Sequence, residues 1–188
     1  MITIDNRFSN ETINMLKLLI NKKLKKIKHN AFYYGPGVYG IVGLFFDDDV
    51  YKITNFLEVQ DYFGRQEDVA YFRFEHSQAS QIESFLEGEQ MIDYPICGTI
   101  KEIRIVNENQ ELYHNKEQTY NIYTVRGLIF VFDDGRELSF EKPVWFSEDI
   151  YVEKGYNLYD KFSKTDSFLE DWEDDYTAKC TREIITIK

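Results

Sequence analysis

The sequence predicts an α+β fold: a mainly antiparallel β-sheet with an N-terminal amphipathic helix and C-terminal helices packed on it. Three observations lead there. Ile13, Leu16, Ile20, Leu24 and Ile27 recur at three- and four-residue steps, which places them on one face of a helix. From Tyr94 to Phe140 the chain reads as one strand after another in hairpin-like pairs. Beyond Ser147 the apolar residues regain helical spacing.

The first helix runs from a cap at Ser9 or Asn10 to about His29. Gly35-Pro36-Gly37 breaks it, Val38–Phe46 forms a strand, Asp47–Asp49 turns, and Val50–Ile53 returns. Val69–Phe74 is a further strand. Ser77 caps a short helix that turns Ala79, Ile82, Phe85 and Leu86 inward and stops at Gly88. Strands follow at Gly98–Val106, Glu111–His114 and Tyr120–Val125. The strongest hairpin joins Leu128–Phe132 to Glu137–Phe140. A two-residue Asp134-Gly135 loop sets Val131 against Leu138 and Ile129 against Phe140. Ser147–Lys154 gives a helical turn or two, Asn157–Phe162 and Thr165–Tyr176 are helical, and Arg182–Ile187 is a final strand. With 188 residues, three prolines and no Gly- or Ser-rich stretch, the chain is expected to form a single globular domain over 1–188.

Composition narrows the function classes. The net charge of −11 disfavours nucleic acid as the main partner, because phosphates reward Lys and Arg. It favours attraction of a basic protein. The longest apolar run with glycine included, Val38–Phe46, is far short of the roughly 20 residues of a membrane span. The start of the chain lacks the pattern of a signal peptide, and Cys97 and Cys180 are too few for a secreted disulfide scaffold. A cytoplasmic protein with reduced thiols is expected. No feature specifies a homo-oligomer.

Charge is unevenly spread. Lys17, Lys22, Lys23, Lys25, Lys26 and Lys28 place six positives within 12 residues. Asp166, Glu170, Asp171, Glu173, Asp174 and Asp175 place six negatives within ten. Each is read first as a solvated helix face. The functional reading of the basic run is contact with an anionic surface or an acidic protein. That of the acidic run is a docking surface for a basic protein, through Glu170, Asp171, Glu173, Asp174, Asp175 and Tyr176, with Trp172 as a further anchor.

No motif defines a catalytic, cofactor or metal site. Gly35-Pro36-Gly37-Val38-Tyr39-Gly40 spells G-x-G-x-x-G, but the Gly-Ile-Val-Gly that follows does not make the helix a pyrophosphate needs. It is a loop breaker. Asp47-Asp48-Asp49 offers carboxylates to a cation but reads better as a solvated turn. His29, His76 and His114 are too scattered for a metal or a triad. Glu148 and Asp149 beside Trp145 suit a helix start under a Ser147 cap better than acid–base work on a sugar.

In size, acidity and lack of catalytic signatures, the chain resembles as a class the small acidic immunity proteins that bacteria make against cationic nuclease toxins. The resemblance implies a non-enzymatic, cofactor-free inhibitor whose acidic surface meets a basic partner. The alternative is a small hydrolase or carbohydrate-active enzyme using Asp47, Asp49 or Glu148 with Trp145 as a platform.

Overall fold

A computed structural model describes residues 1–32, 35–170 and 172–188. It corrects the expected fold class: the molecule is dominated by β-sheet, and among the described residues no layer of helices packs on it. Eleven strands run β1 (Ile2–Asn6), β2 (Lys23–His29), β3 (Gly37–Tyr39), β4 (Ile41–Phe45), β5 (Val50–Tyr62), β6 (Arg65–Ser77), β7 (Ile92–His114), β8 (Glu117–Phe132), β9 (Glu137–Glu141), β10 (Asp149–Gly155) and β11 (Tyr176–Ile187). Among the described residues the α-helices are α1 (Asn10–Lys17) and α2 (Asp166–Glu170). None is long and apolar enough to cross a membrane.

The strand order β3-β10-β9-β8-β7-β2-β4 closes on itself, because β3 and β4 are two halves of one strand bent at Gly40. Gly40 holds φ +65°, which suits glycine. Its N–H donates to the Glu148 carbonyl and its own carbonyl accepts from Asn55 N–H, both at 2.9 Å. On that edge β5 therefore gives way to β10. The fully buried Asn55 side chain spans the exchange, donating to the Ser147 and Asp149 carbonyls at 3.0 and 2.8 Å. All ring pairs are antiparallel. The β5–β6 hairpin, β11 on β7, and β1 on β8 extend from the ring, the last as a parallel pair.

Inside the ring, Val38, Val42, Leu44, Leu24, Ile27, Ile100, Ile103, Leu128, Phe130, Leu138, Phe140, Ile150 and Val152 form one buried cluster. Leu16 of α1 and Leu19 just beyond it join this cluster, as do Phe72 and Phe74 of β6.

Further corrections follow along the chain, and the first two have clear physical causes. The long first helix stops at Lys17 after the expected Ser9 cap, and Lys23–His29 is a strand. A bulge between Leu24 and Lys26 shifts the inward parity, so that Leu24 and Ile27 are buried three positions apart and imitate a helical step. In the β8–β9 hairpin the register differs by one, with Leu128 opposite Phe140 and Phe130 opposite Leu138. The loop is three residues, not two: Phe132 N–H donates to Arg136 O at 2.9 Å, and Gly135 sits at φ +82°. All four large apolar side chains thereby face the core. Ser147–Lys154 belongs mostly to β10, and the acidic helix predicted over Thr165–Tyr176 shrinks to α2 before β11 begins. The helix expected after Ser77 reduces to a 3-10 turn at Ala79–Gln81.

Candidate functional site

A bulge at Arg126 of β8, opposite the step from Val106 to Asn107 of β7, breaks the register of the two longest strands. Along their outer side the segment after β9 crosses to β6, where Ala70 N–H donates to the Trp145 carbonyl at 2.7 Å. The hairpin end of β5–β6, this crossing segment, α2 and the start of β11 together enclose an aromatic cleft of about 480 Å³.

Its walls are a network of edge-to-face and tilted ring pairs. The Phe63 ring lies 5.0 Å from Trp172 and 5.6 Å from Phe168, while Trp145 lies 5.5 Å from Phe168. Tyr62 and the exposed Phe146 meet at 5.1 Å on one side. Trp172 and Tyr176 meet at 6.4 Å on the other. Trp172 is fixed by its indole N–H, which donates to the Phe168 carbonyl at 2.6 Å. Glu67 and Glu173 supply two exposed carboxylates at the cleft, and Arg65 one cation.

Of the acidic docking residues expected from the sequence, Glu173 and Tyr176 line this cleft. Glu170 ends α2 and is exposed, as is Asp174. Asp175 turns to His114, with Oδ2 2.9 Å from Nε2. Asp171 lies outside the described residues. The lysine run does not neutralise this segment. Lys22 pairs with Asp49, Lys25 with Asp47, and Lys26 with Asp93 at 2.7 Å. Lys22 accordingly holds the Asp49 carboxyl below its usual range.

The proposed carboxylate pair is not assembled. Asp47 and Asp49 occupy the β4–β5 turn, whereas Glu148 accepts the Tyr39 hydroxyl near Gly40, at the other end of β4. That hydrogen bond pushes the Tyr39 hydroxyl up to about 12. Ser147 Oγ does accept from Asp149 N–H at 3.2 Å, but in a turn that enters a strand. Gly37–Tyr39 of the glycine motif is strand β3, with β4 rather than a helix after Gly40. His29 is fully buried and stacked on Tyr94 at 4.3 Å, and burial lowers its pKa. Cys97 and Cys180 are both free. No group of three or more His, Cys, Asp or Glu among the described residues could hold a metal.

Beneath the cleft lies a buried charge cluster that pattern reading missed. Glu108 Oε1 accepts from Arg182 Nε and Nη2 at 2.9 and 2.8 Å. Glu141 Oε1 accepts from Arg126 Nε at 3.1 Å and from Ser163 N–H at 2.8 Å. Lys142 is 1% exposed and donates to the Ala70 carbonyl at 3.1 Å and to Thr124 Oγ1 at 2.9 Å. Burial, reinforced by Arg126, pulls its ammonium down to about 7. The one available signal was Arg126 within an otherwise apolar and β-branched run, Tyr123–Phe132. The cluster ties the crossing segment, β6 and β8 together, and so holds Trp145 as the cleft floor. Compared with known proteins, the chain matches no family model, no curated sequence and no solved structure.

Proposed function

We propose that the protein is a non-enzymatic binding module that engages a basic protein, and that the aromatic cleft seats arginine or lysine side chains of that partner. The observation that carries this reading is the meeting of Phe63, Trp172 and Tyr176 with the carboxylates of Glu67 and Glu173 around one cleft. Aromatic faces attract cations, and more strongly once water is excluded. Exposed carboxylates that are not bound to the chain's own lysines, Glu170 and Asp174 beside Glu173, add steering toward a cationic surface. The net charge of −11 acts in the same sense at long range. One concrete form of the reading is an inhibitor that docks on the phosphate-binding groove of a nuclease toxin.

Both tryptophans of the chain line the cleft, so its intrinsic fluorescence reports on this site. Titration with an arginine-rich peptide should perturb that emission, and the affinity should fall steeply between about 50 mM and 500 mM salt. Trp172→Ala and Glu173→Gln should each weaken binding about tenfold or more. Absence of binding, or binding indifferent to salt, overturns the proposal.

A further inference from the structure

Beyond the ring the strands run β1-β8-β7-β11, and among the described residues β11 pairs with β7 alone. Its register against β7 is unbroken from Tyr176 to Ile187, with no bulge and no proline. A long, regular edge of this kind is a template for another strand, which proteins that leave it bare usually shorten, bulge or block. The backbone shows which groups it offers. Asn115 N–H donates to the Asp175 carbonyl at 3.2 Å, one step beyond the ladder. Bonding alternates along an antiparallel strand, so Thr177, Lys179, Thr181 and Glu183 turn their N–H and C=O groups to β7, whereas Ala178, Cys180, Arg182 and Ile184 turn theirs outward. Tyr176 N–H fits this alternation, donating away from β7 to the Glu173 carbonyl at 2.9 Å.

Charge decides what the edge meets. Lys179 and Glu183 are exposed, and neither belongs to an ion pair among the described residues. In a chain of net charge −11, residues 176–188 carry the cationic side chains Lys179, Arg182 and Lys188 against the single carboxylate of Glu183. Two such edges can approach without the repulsion that the rest of the surface would impose. We propose that β11 pairs with β11 of a second copy of this chain, antiparallel about a two-fold axis at Thr181. Lys179 of each copy then stands opposite Glu183 of the other, in non-hydrogen-bonded pairs, where side chains lie closest. Ala178 faces Ile184 and Cys180 faces Arg182 as the hydrogen-bonded pairs, so the outward backbone groups from Ala178 to Ile184 all find partners. The exposed Ile184 is covered at the same time. A shift by two residues in either direction loses both ion pairs, which makes this register the self-complementary one. The inference stands apart from what the aromatic cleft takes.

Sedimentation equilibrium of the full chain over about 5–500 μM, at about 150 mM salt, tests it. The mass should rise with concentration from one chain of 22.5 kDa toward two. Lys179→Glu should weaken the dimer about tenfold, because it sets like charges opposite each other at two places. Lys179→Glu combined with Glu183→Lys should restore the wild-type affinity. A monomer throughout the range, or a double variant no tighter than the single one, overturns the proposal. Thr181→Cys, in a chain that also carries Cys97→Ser and Cys180→Ala, decides the register independently. The two-fold axis brings both copies of position 181 to a Cα separation of about 4.5 Å, within disulfide reach. A covalent dimer linked through position 181 under mild oxidant supports the pairing, and monomer alone refutes it.

Discussion

Arg182 clasps Glu108 through two nitrogens on a single carboxylate oxygen, at 2.9 and 2.8 Å, where the Glu108 side chain has no solvent exposure. Removing the cation would strand a buried charge, because Arg126 Nε lies at 3.6 Å and is shared with Glu141. Arg182→Met should cost about 3–5 kcal/mol in urea unfolding. Glu108→Gln with Arg182→Met should cost less than the sum of the two single changes. Additive losses would show that the pair does not act as a unit.

Lys142 gives stability a pH dependence of defined sign. Its pKa is about 7 in the folded protein, against 10.5 for an ordinary lysine. Between those values the unfolded chain binds more protons, so this group adds stability as pH rises through the window and adds none below it. Full expression would amount to about 5 kcal/mol. Measured by urea unfolding at about pH 6 and pH 10, wild type should gain stability relative to Lys142→Met by an amount of that order. A constant difference between the two proteins would refute the assignment.

Gly127 sits where β8 meets β9 too closely for any side chain. A Cβ there would lie 2.2 Å from the Phe140 carbonyl oxygen, a backbone atom that cannot rotate away. Gly127→Ala should therefore cost about 3 kcal/mol or more. Gly135→Ala in the adjoining loop meets open space and pays only for φ +82°, about 1–2 kcal/mol. Thermal denaturation of the two variants should rank them in that order.

The two thiols should differ in reactivity. Cys97 is exposed, whereas burial and the neighbouring Glu108 push the Cys180 thiol up to about 12. At about pH 8 an aromatic disulfide reagent should modify one thiol per chain quickly, and the second about 100-fold more slowly or only on unfolding. Two equal fast phases would contradict the half-buried position of Cys180.

Much of the strand content was legible, because β-branched and aromatic runs such as Val50–Ile53 and Leu128–Phe132 have no good helical alternative. What misled was bulge-shifted parity. Leu24 and Ile27 continue the spacing of Ile13 and Leu16 into a segment that is a strand. The Phe130–Leu138 register depended on one loop residue, since Asp133 belongs to the turn. The site was legible only in part. Trp172, Glu173 and Tyr176 stood out by chemistry and do share a cleft. Phe63 and Glu67 come from a hairpin far away in sequence, and Lys142 reads locally like any charged residue after a strand. Such partners converge only through long-range pairing, which periodicity does not encode.

Closure at Gly40 also governs how the chain must assemble. Bonds between β3 and β10 join residues 37–39 to 149–151, so the last seam waits on nearly everything between them. Neighbouring hairpins such as β5–β6 can zip locally, whereas this seam requires a large loop to close first. Refolding should consequently be slow for a chain of this length. Until the seam forms, the edges of β3 and β10 are free to pair with other chains, so the interval before closure is the time of greatest risk of aggregation.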